Sequence, residues 1–464
     1  MKWWTDFADP ALNHLIDIAY QQNLPLQIAG VRIMEARARL GFAVGKQYPQ
    51  MQEINAAYDN VGLSKNAPNH FPFLDSRFNQ AQTSFDAGWE LDVWGRFRRG
   101  IESASAGMAA SIAAYDDALV SLTAEVARAY VLIRTFEERL AIARSNADTE
   151  RHSYQLALAR FQDGAVSKLD STQALTLLRS TEAGIPVLQA ELAKSKHALS
   201  VLLGMPPGRL KSLLKGEEAI PLPPAEIAVG IPADLLRRRP DIREAEMQAA
   251  SASALVGVEQ SQLYPRFSLI GSVGFLTGDT GSASLGNLFD INSLAYSVGP
   301  SFSWPVLNYG RLRNKVRIQD ARLQAALVNY RNSVLEAARE VKDGLTGFIN
   351  GQRQVILLAQ SVDAAEQAVS LANIQYRNGA VDYQRVLDTQ RAMLLTQDQW
   401  VQARSNTAVS LIATYKALGG GWEMRQGHAF IPDRVEKKME QRTNWGSLLK
   451  DDGQKKADSA GKTK

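Results

Sequence analysis

The sequence predicts an α+β membrane protein with an internal tandem duplication, in which very long helices alternate with strands that close only when chains assemble. Three observations predict it. Matching residues recur at a spacing of 215, each copy holds a very long proline-free run, and four short stretches alternate with period two. The first sets the organisation, the second the helices and the third the strands.

The bulk numbers admit such a protein and exclude others. A chain of 464 residues has room for two or three ordinary domains, and 45% hydrophobic with 22% charged residues supports a packed core. No run of 18 apolar residues is present, so no single helix is expected to cross a bilayer. Cysteine is absent, which removes disulfides, thiolate metal sites and cysteine nucleophiles. The chain opens at Met1-Lys2-Trp3-Trp4 without the apolar stretch of a secretion signal. Its net charge of +4 lies in the segment from Arg434 to Lys464, with nine Lys/Arg against five Asp/Glu. The body is therefore balanced and lacks the basic stripe a nucleic-acid groove needs.

The duplication is read from paired landmarks. Pro25 and Pro240, Gly95 and Gly310, Gly164 and Gly379, and Gly204 and Gly419 are each 215 apart. Their surroundings match: Trp94-Gly95-Arg96-Phe97-Arg98 answers Tyr309-Gly310-Arg311-Leu312-Arg313, and Phe161-Gln162-Asp163-Gly164-Ala165-Val166 answers Tyr376-Arg377-Asn378-Gly379-Ala380-Val381. Residues 1–215 are expected to form the first repeat, with a β-hairpin over 48–94. Residues 216–422 are expected to form the second, with a hairpin over 264–306. The joint is Pro-rich, at Pro206-Pro207 and Pro221-Leu222-Pro223-Pro224. Residues 423–464 read as a charged C-terminal tail, partly disordered, above all from Lys455 onward.

The helices follow from spacing. No proline occurs between Pro72 and Pro186 or between Pro305 and Pro432. Tyr115, Leu119, Leu122, Val126, Ala129, Ile133, Phe136 and Leu140 step by four and three, and so do Leu323, Leu327, Tyr330, Val334, Ala337, Val341, Leu345 and Phe348. A repeat of 3.5 residues keeps one seam against a neighbouring helix. A continuous helix from Arg96 to Gln162 spans roughly 100 Å at ~1.5 Å per residue. Gly164 and Gly379 suit the left-handed conformation that ends a helix, and Ser167 and Asp382 suit the cap of the returning one.

The strands follow from alternation. Phe85, Ala87, Trp89, Leu91 and Val93 alternate with Ser84, Asp86, Gly88, Glu90 and Asp92. Phe267 to Phe275, Tyr296 to Trp304 and, more weakly, Ile54 to Tyr58 do the same. One face is Ser, Gly and acid, as a water-filled lumen needs; the other is aliphatic and aromatic, as lipid needs. Pro300 costs a ladder bond and implies an edge or bulge. Four strands leave open edges, which lipid forbids, so closure needs two chains for eight strands or three for twelve.

These residues resemble the outer membrane factor family, the TolC-like and OprM-like exit ducts, and among them the NodT-type lipoproteins of resistance–nodulation–division efflux pumps. The resemblance rests on Trp3-Trp4…Phe7…Asp9-Pro10…Leu12, Trp89-Glu90-Leu91-Asp92-Val93-Trp94-Gly95-Arg96 and Leu235-Leu236-Arg237-Arg238-Arg239-Pro240-Asp241-Ile242-Arg243. Tyr264-Pro265, Ser297-Val298-Gly299-Pro300 and Leu418-Gly419-Gly420-Gly421-Trp422 complete it. It implies a homotrimer with a twelve-stranded β-barrel, four strands per chain, continuous with a long α-helical barrel in the periplasm. It also implies a tip that docks on a periplasmic adaptor (a membrane fusion protein) beneath an inner-membrane resistance–nodulation–division transporter. NodT-type members carry a signal peptide and a lipid-bearing cysteine before the Trp-Trp segment; neither is in this sequence, and an N-terminal anchor is expected only outside it.

A duct needs a gate and a docking surface and no cofactor. The resemblance places the periplasmic gate on the helix after the second turn, with Asp388 and Arg391 matching acidic and basic gate positions, Gln384 where leucine is frequent, and Tyr383 beside it. Three Asp388 carboxylates around a three-fold axis would draw cations; a simple Asp388–Arg391 ion pair on one helix is the plainer reading. Docking is expected at the turns, Gly164, Ala165, Val166 and Ser167 with Gly379, Ala380, Val381 and Asp382. Enzymes fit poorly. His14, His70, His152, His197 and His428 are scattered, Asp279-Thr280-Gly281 has no second copy, and Ser212-Leu213-Leu214-Lys215 lacks its supporting motifs. A soluble coiled-coil scaffold would lack the strands, and a duct for type I protein secretion or metal-ion export shares every feature except cargo.

Overall fold

The computed structural model describes residues 2–64, 66, 68, 76–208, 210–214, 219–221, 224, 238–281 and 283–449. His70, Lys215, Leu235 to Arg237 and the stretch from Lys455 lie outside them. A 3-10 helix, Trp3–Phe7, leads into α1 (Pro10–Gln22) and α2 (Leu24–Gly45). Strands β1 (Met51–Gly62) and β2 (Arg77–Glu90) follow, then α3 (Arg96–Gln162) and α4 (Lys168–Leu202). The order returns as α5 (Pro240–Ser261), β3 (Arg266–Gly278), β4 (Leu294–Ser303), α6 (Arg311–Arg377) and α7 (Tyr383–Ala417). Helix α8 (Asp433–Arg442) follows a 3-10 turn at Trp422–Arg425. Both α3 and α6 have 67 residues, and both α4 and α7 have 35. The glycines paired at 215 all take positive φ: +78° and +76° at Gly95 and Gly310, +74° and +76° at Gly164 and Gly379, +66° and +71° at Gly204 and Gly419. Equivalent turns demand the one residue without a Cβ, which is why the spacing is visible in sequence.

Two compact units each take segments from both copies. One comprises residues 34–110 and 245–330. It holds a single antiparallel sheet in the order β1-β2-β3-β4, with β1 and β4 at its edges. The register sets Ile54, Phe85, Val273 and Tyr296 in one row across the sheet and Glu53, Asp86, Ser272 and Ser297 in the next. Because neighbouring rows point to opposite faces, one face is apolar and the other polar. Pro300 pairs with Leu269 on the edge strand β4, where its missing N–H can face outward. Indole N–H groups of Trp89, Trp94 and Trp304 donate to the carbonyls of Gln47, Pro265 and Leu263 at 3.1, 2.7 and 3.1 Å. Each ring thus keeps its polar edge satisfied while its apolar body stays exposed.

Strand β2 stops at Glu90, short of the expected Leu91 and Val93. The cause is Asp92, whose carboxylate accepts from the N–H groups of Phe97 and Arg98 at 3.0 and 2.9 Å and caps α3. A residue committed to starting a helix cannot continue the ladder.

The other unit comprises residues up to Ile33, 111–244 and 331 onward. Trp3 stacks on Tyr415 at 5.3 Å, and the Tyr415 hydroxyl donates to Asp6 at 2.6 Å. Asp9 caps α1 through one carboxylate oxygen and accepts from Tyr130 through the other, at 2.6 Å. Arg239 reaches the Ala417 carbonyl at 2.6 Å and pairs with Asp241 and Glu340, so the arginine-proline motif fastens the end of α7. Described residues beyond Trp422 are docked: Arg425 pairs with buried Asp116 at 2.6 Å, and Phe430, Ile431 and Met439 are buried.

The copy-one seam is buried at Tyr115, Leu119, Leu122, Val126, Ala129, Ile133 and Leu140. Its counterpart is buried only at Ala337, Val341 and Phe348; Leu327, Val328 and Leu335 on α6 are exposed. Contrary to the expectation from the sequence, α6 also contains an 18-residue window apolar enough by composition to cross a bilayer, most of it exposed. Its apolar character belongs to helix faces left uncovered within one chain.

Helices α6 and α7 approach through glycine. Gly344, Gly347 and Gly351 lie on one face of α6 against Thr414, Ser410 and Thr407 of α7, and an added Cβ would come within 2.6, 2.7 and 2.5 Å of those hydroxyls. Gly344→Ala is therefore expected to destabilise by about 1–3 kcal/mol through overpacking, although alanine favours a helix by about 1 kcal/mol. Gly100→Ala in α3 meets nothing within 4 Å. Thermal melting in detergent should fall for the first variant and not for the second.

Candidate functional site

Each long helix pair ends in the same turn. After α3, Gly164 donates to the Phe161 carbonyl at 3.0 Å and Ala165 to that of Arg160 at 2.8 Å; after α6, Gly379 donates to Tyr376 at 3.0 Å and Ala380 to Gln375 at 2.9 Å. These bonds satisfy carbonyls that a helix end leaves unpaired. Ser167 Oγ then accepts from the Leu169 N–H at 3.2 Å, and Asp382 Oδ1 from that of Arg385 at 3.3 Å.

The four helices share one core at these turns. Ala157 of α3, Ala174 and Leu177 of α4, Ala372 and Tyr376 of α6, and Tyr383, Val386 and Leu387 of α7 are buried together, with Val166 and Val381 partly covering them. Tyr376 is the hub. Its carbonyl accepts from the Arg160 guanidinium, which also lies 4.7 Å over its ring. Its hydroxyl donates to Asp170 Oδ2 on α4 at 3.2 Å, and its ring meets Tyr383 edge-on at 5.3 Å. Burial, and then the Asp170 carboxylate, push the Tyr376 hydroxyl up to about 12, so it remains a donor at any physiological pH.

The gate positions expected from the sequence divide here. Gln384, Asp388 and Arg391 are exposed on α7. Gln384 Nε2 donates to Asp388 Oδ1 at 2.9 Å, and Gln173 of α4 donates to Gln384 Oε1 at 3.4 Å. Among the described residues no ion pair joins Asp388 to Arg391. Tyr383 is 1% exposed and packs inside, supporting α7 rather than lining its surface. Gly164, Ala165, Ser167, Gly379, Ala380 and Asp382 are exposed, and Val166 and Val381 half-buried.

Sequence reasoning passed over Arg160, Asp170 and Tyr376 as site residues. A signal was available, because the copies differ where the contacts form: Phe161 stands opposite Tyr376, and Asp170 opposite Arg385. It also passed over a buried polar group behind the gate helix. Gln390, between Asp388 and Arg391 in sequence, is fully buried and donates to Ser153 Oγ on α3 at 2.8 Å. One turn earlier on α3, Glu150 is 3% exposed and accepts from Thr181 of α4 at 3.0 Å. Glu150 Oε2, Gln390 Oε1 and the Tyr383 hydroxyl have no hydrogen-bond partner among the described residues. Burial pushes the Glu150 carboxyl up to about 7; the Thr181 hydrogen bond opposes this and the charge of Glu182 adds to it.

A family model for outer membrane efflux protein matches residues 15–205 and 231–420. Nodulation protein T of Rhizobium leguminosarum bv. trifolii is 30% identical over 423 residues, 91% of this chain and 88% of that protein. The pyoverdine export outer membrane protein OpmQ of Pseudomonas putida is 32% identical, over 91% of this chain and 88% of its own. The solved structure of the outer-membrane channel OprN matches with a TM-score of 0.83 and 33% identity, covering 91% of this chain and 92% of OprN.

The Glu150 environment generates a pH dependence. Its folded pKa of about 7 lies above the ~4.3 of an unfolded glutamate, so the folded state holds the proton more tightly. That stabilisation is complete below ~4.3 and is lost as pH rises through about 7. Melting in detergent is expected to fall between pH 5 and pH 8, and Glu150→Gln to flatten that fall.

Proposed function

The chain belongs to the outer membrane efflux protein family, and on that premise we propose that three copies close one barrel and form the exit duct of a tripartite efflux pump. The observation that carries this reading is the open sheet. Among the described residues its edges β1 and β4 have no further strand partner, and Ile54, Phe85, Val273, Tyr296 and Val298 are exposed on its apolar face. In lipid such a sheet survives only closed, and the polar rows with Glu53 and Asp86 would then line water. The exposed apolar side chains of α6 fit the same arrangement, since neighbouring chains would cover them.

In this reading the duct performs no chemistry. The turns at Gly164 to Ser167 and at Gly379 to Asp382 receive a periplasmic adaptor, which couples the tip to an inner-membrane resistance–nodulation–division transporter. Three exposed Asp388 carboxylates near the axis, with Arg391 and Gln384, form the closed gate. Tyr376 holds that gate by tying α3, α4 and α7 to α6. The pump selects the cargo; small organic molecules fit the comparison with OpmQ, whose name assigns it pyoverdine.

Single-channel recording of the protein in a planar bilayer tests this. The unmodified chain should give small, cation-selective openings. Asp388→Ala/Arg391→Ala should enlarge them and weaken the selectivity, and Tyr376→Phe should raise the frequency of opening without changing selectivity. Conductance indifferent to all three changes would place the gate elsewhere. A folded protein that passes no current would overturn the duct.

A further inference from the structure

The segment between β3 and β4 is folded back onto the apolar face of the sheet. Phe275 belongs to that face, because it pairs with Leu294 and Thr83 two residues along from the row of Val273, Tyr296 and Phe85. Phe289 meets the Phe275 ring edge-on at 5.7 Å. Thr277, next on the same face, donates to the Ser284 carbonyl at 3.2 Å. Two contacts thus put the segment on one side of the sheet, the side of Ile54, Phe85, Val273 and Tyr296.

Its backbone is organised locally. Ser284 and Asp290 cap short 3-10 turns at Leu285–Asn287 and Ile291–Ser293, and Ser293 Oγ donates to the Asn287 carbonyl at 2.8 Å. At its start the Asp279 carboxylate takes the backbone and side-chain N–H groups of Asn79 at 2.5 and 2.6 Å, fastening it to β2. This ordered segment nevertheless leaves Phe289 75% and Ile291 74% exposed. Two such side chains held in water forgo the stabilisation that burial would give them.

We propose that Phe289 and Ile291 insert among the acyl chains of the outer leaflet, so that this segment anchors the extracellular rim of the barrel at a fixed depth. The inference rests on the barrel reading above. Depth supports it. Phe275 lies eight residues along β3 from Phe267, whose partner Phe302 and neighbours Trp304 and Trp89 mark the opposite end. At ~3.3 Å per residue and a strand tilt of about 40°, that is about 20 Å along the membrane normal, inside a lipid-facing band ~25 Å tall. Phe289, against Phe275, extends that band outward rather than standing in water. The tryptophans anchor one border with indoles, and the folded-back segment would anchor the other.

The absence of cysteine allows a direct test. Phe289→Cys, Ile291→Cys, Asn292→Cys and Tyr296→Cys would each carry a nitroxide in protein reconstituted into vesicles. Accessibility to oxygen, which concentrates in acyl chains, would be compared with accessibility to a water-soluble nickel chelate. Positions 289 and 291 are expected to match the lipid-facing strand position 296, open to oxygen and closed to nickel, while 292 is open to nickel. Nickel access at 289 and 291 with 296 still in lipid would overturn the anchor and leave the barrel standing. Shielding of 289 and 291 from both reagents would also overturn it, by seating them on a neighbouring chain. Nickel access at 296 as well would overturn the barrel itself.

Discussion

An unpaired strand edge cannot be left in lipid, and most of this molecule follows from that constraint. Each N–H or C=O without a partner in hydrocarbon costs several kcal/mol. Strands β1 and β4 present two such rows per chain. A single chain has no means of curling four strands into a closed barrel, since the smallest closed forms use about eight. The edges must therefore be paired by other copies. Once chains are arranged around an axis, each element repeats around it.

The helical part solves a related problem of length. Helices of 67 residues cannot be held by their own propensity and need continuous packing along one face. The two copies do this differently. In α3 the seam is covered within the chain, by α1, α7 and the residues after Trp422, with Asp9 and Arg425 as polar fasteners to Tyr130 and Asp116. In α6 much of the apolar surface is open, and it packs closely along the glycine face against α7 and in the core around Tyr376. Duplication thus supplied two equal frames, and divergence made one inward-looking and the other available to neighbours. At the turns the same divergence put Tyr376, Arg160 and Asp170 where their counterparts could not interact.

What could be read in the residues depended on whether the cause was local. Period-two alternation at Phe85 to Trp89 was legible because each side chain answers to its own face. The turns were legible because Gly164 and Gly379 must take positive φ wherever they sit. The end of β2 was not, since it depends on Asp92 turning back to cap α3. Glu150 reads in sequence as an ordinary surface glutamate between Thr149 and Arg151; only the meeting of α3 with α4 and α7 buries it. The burial of Tyr383 was not legible for the same reason, being a property of four helices drawn from both copies.

The measurement that bears most directly on the central claim is the number of chains in the folded particle, by native mass spectrometry from detergent. Three chains per particle, with strand content lost together with the trimer on heating, is the predicted result. A stable single chain or pair that keeps its strand signal would show that β1 and β4 find partners without a third copy, and would contradict the account.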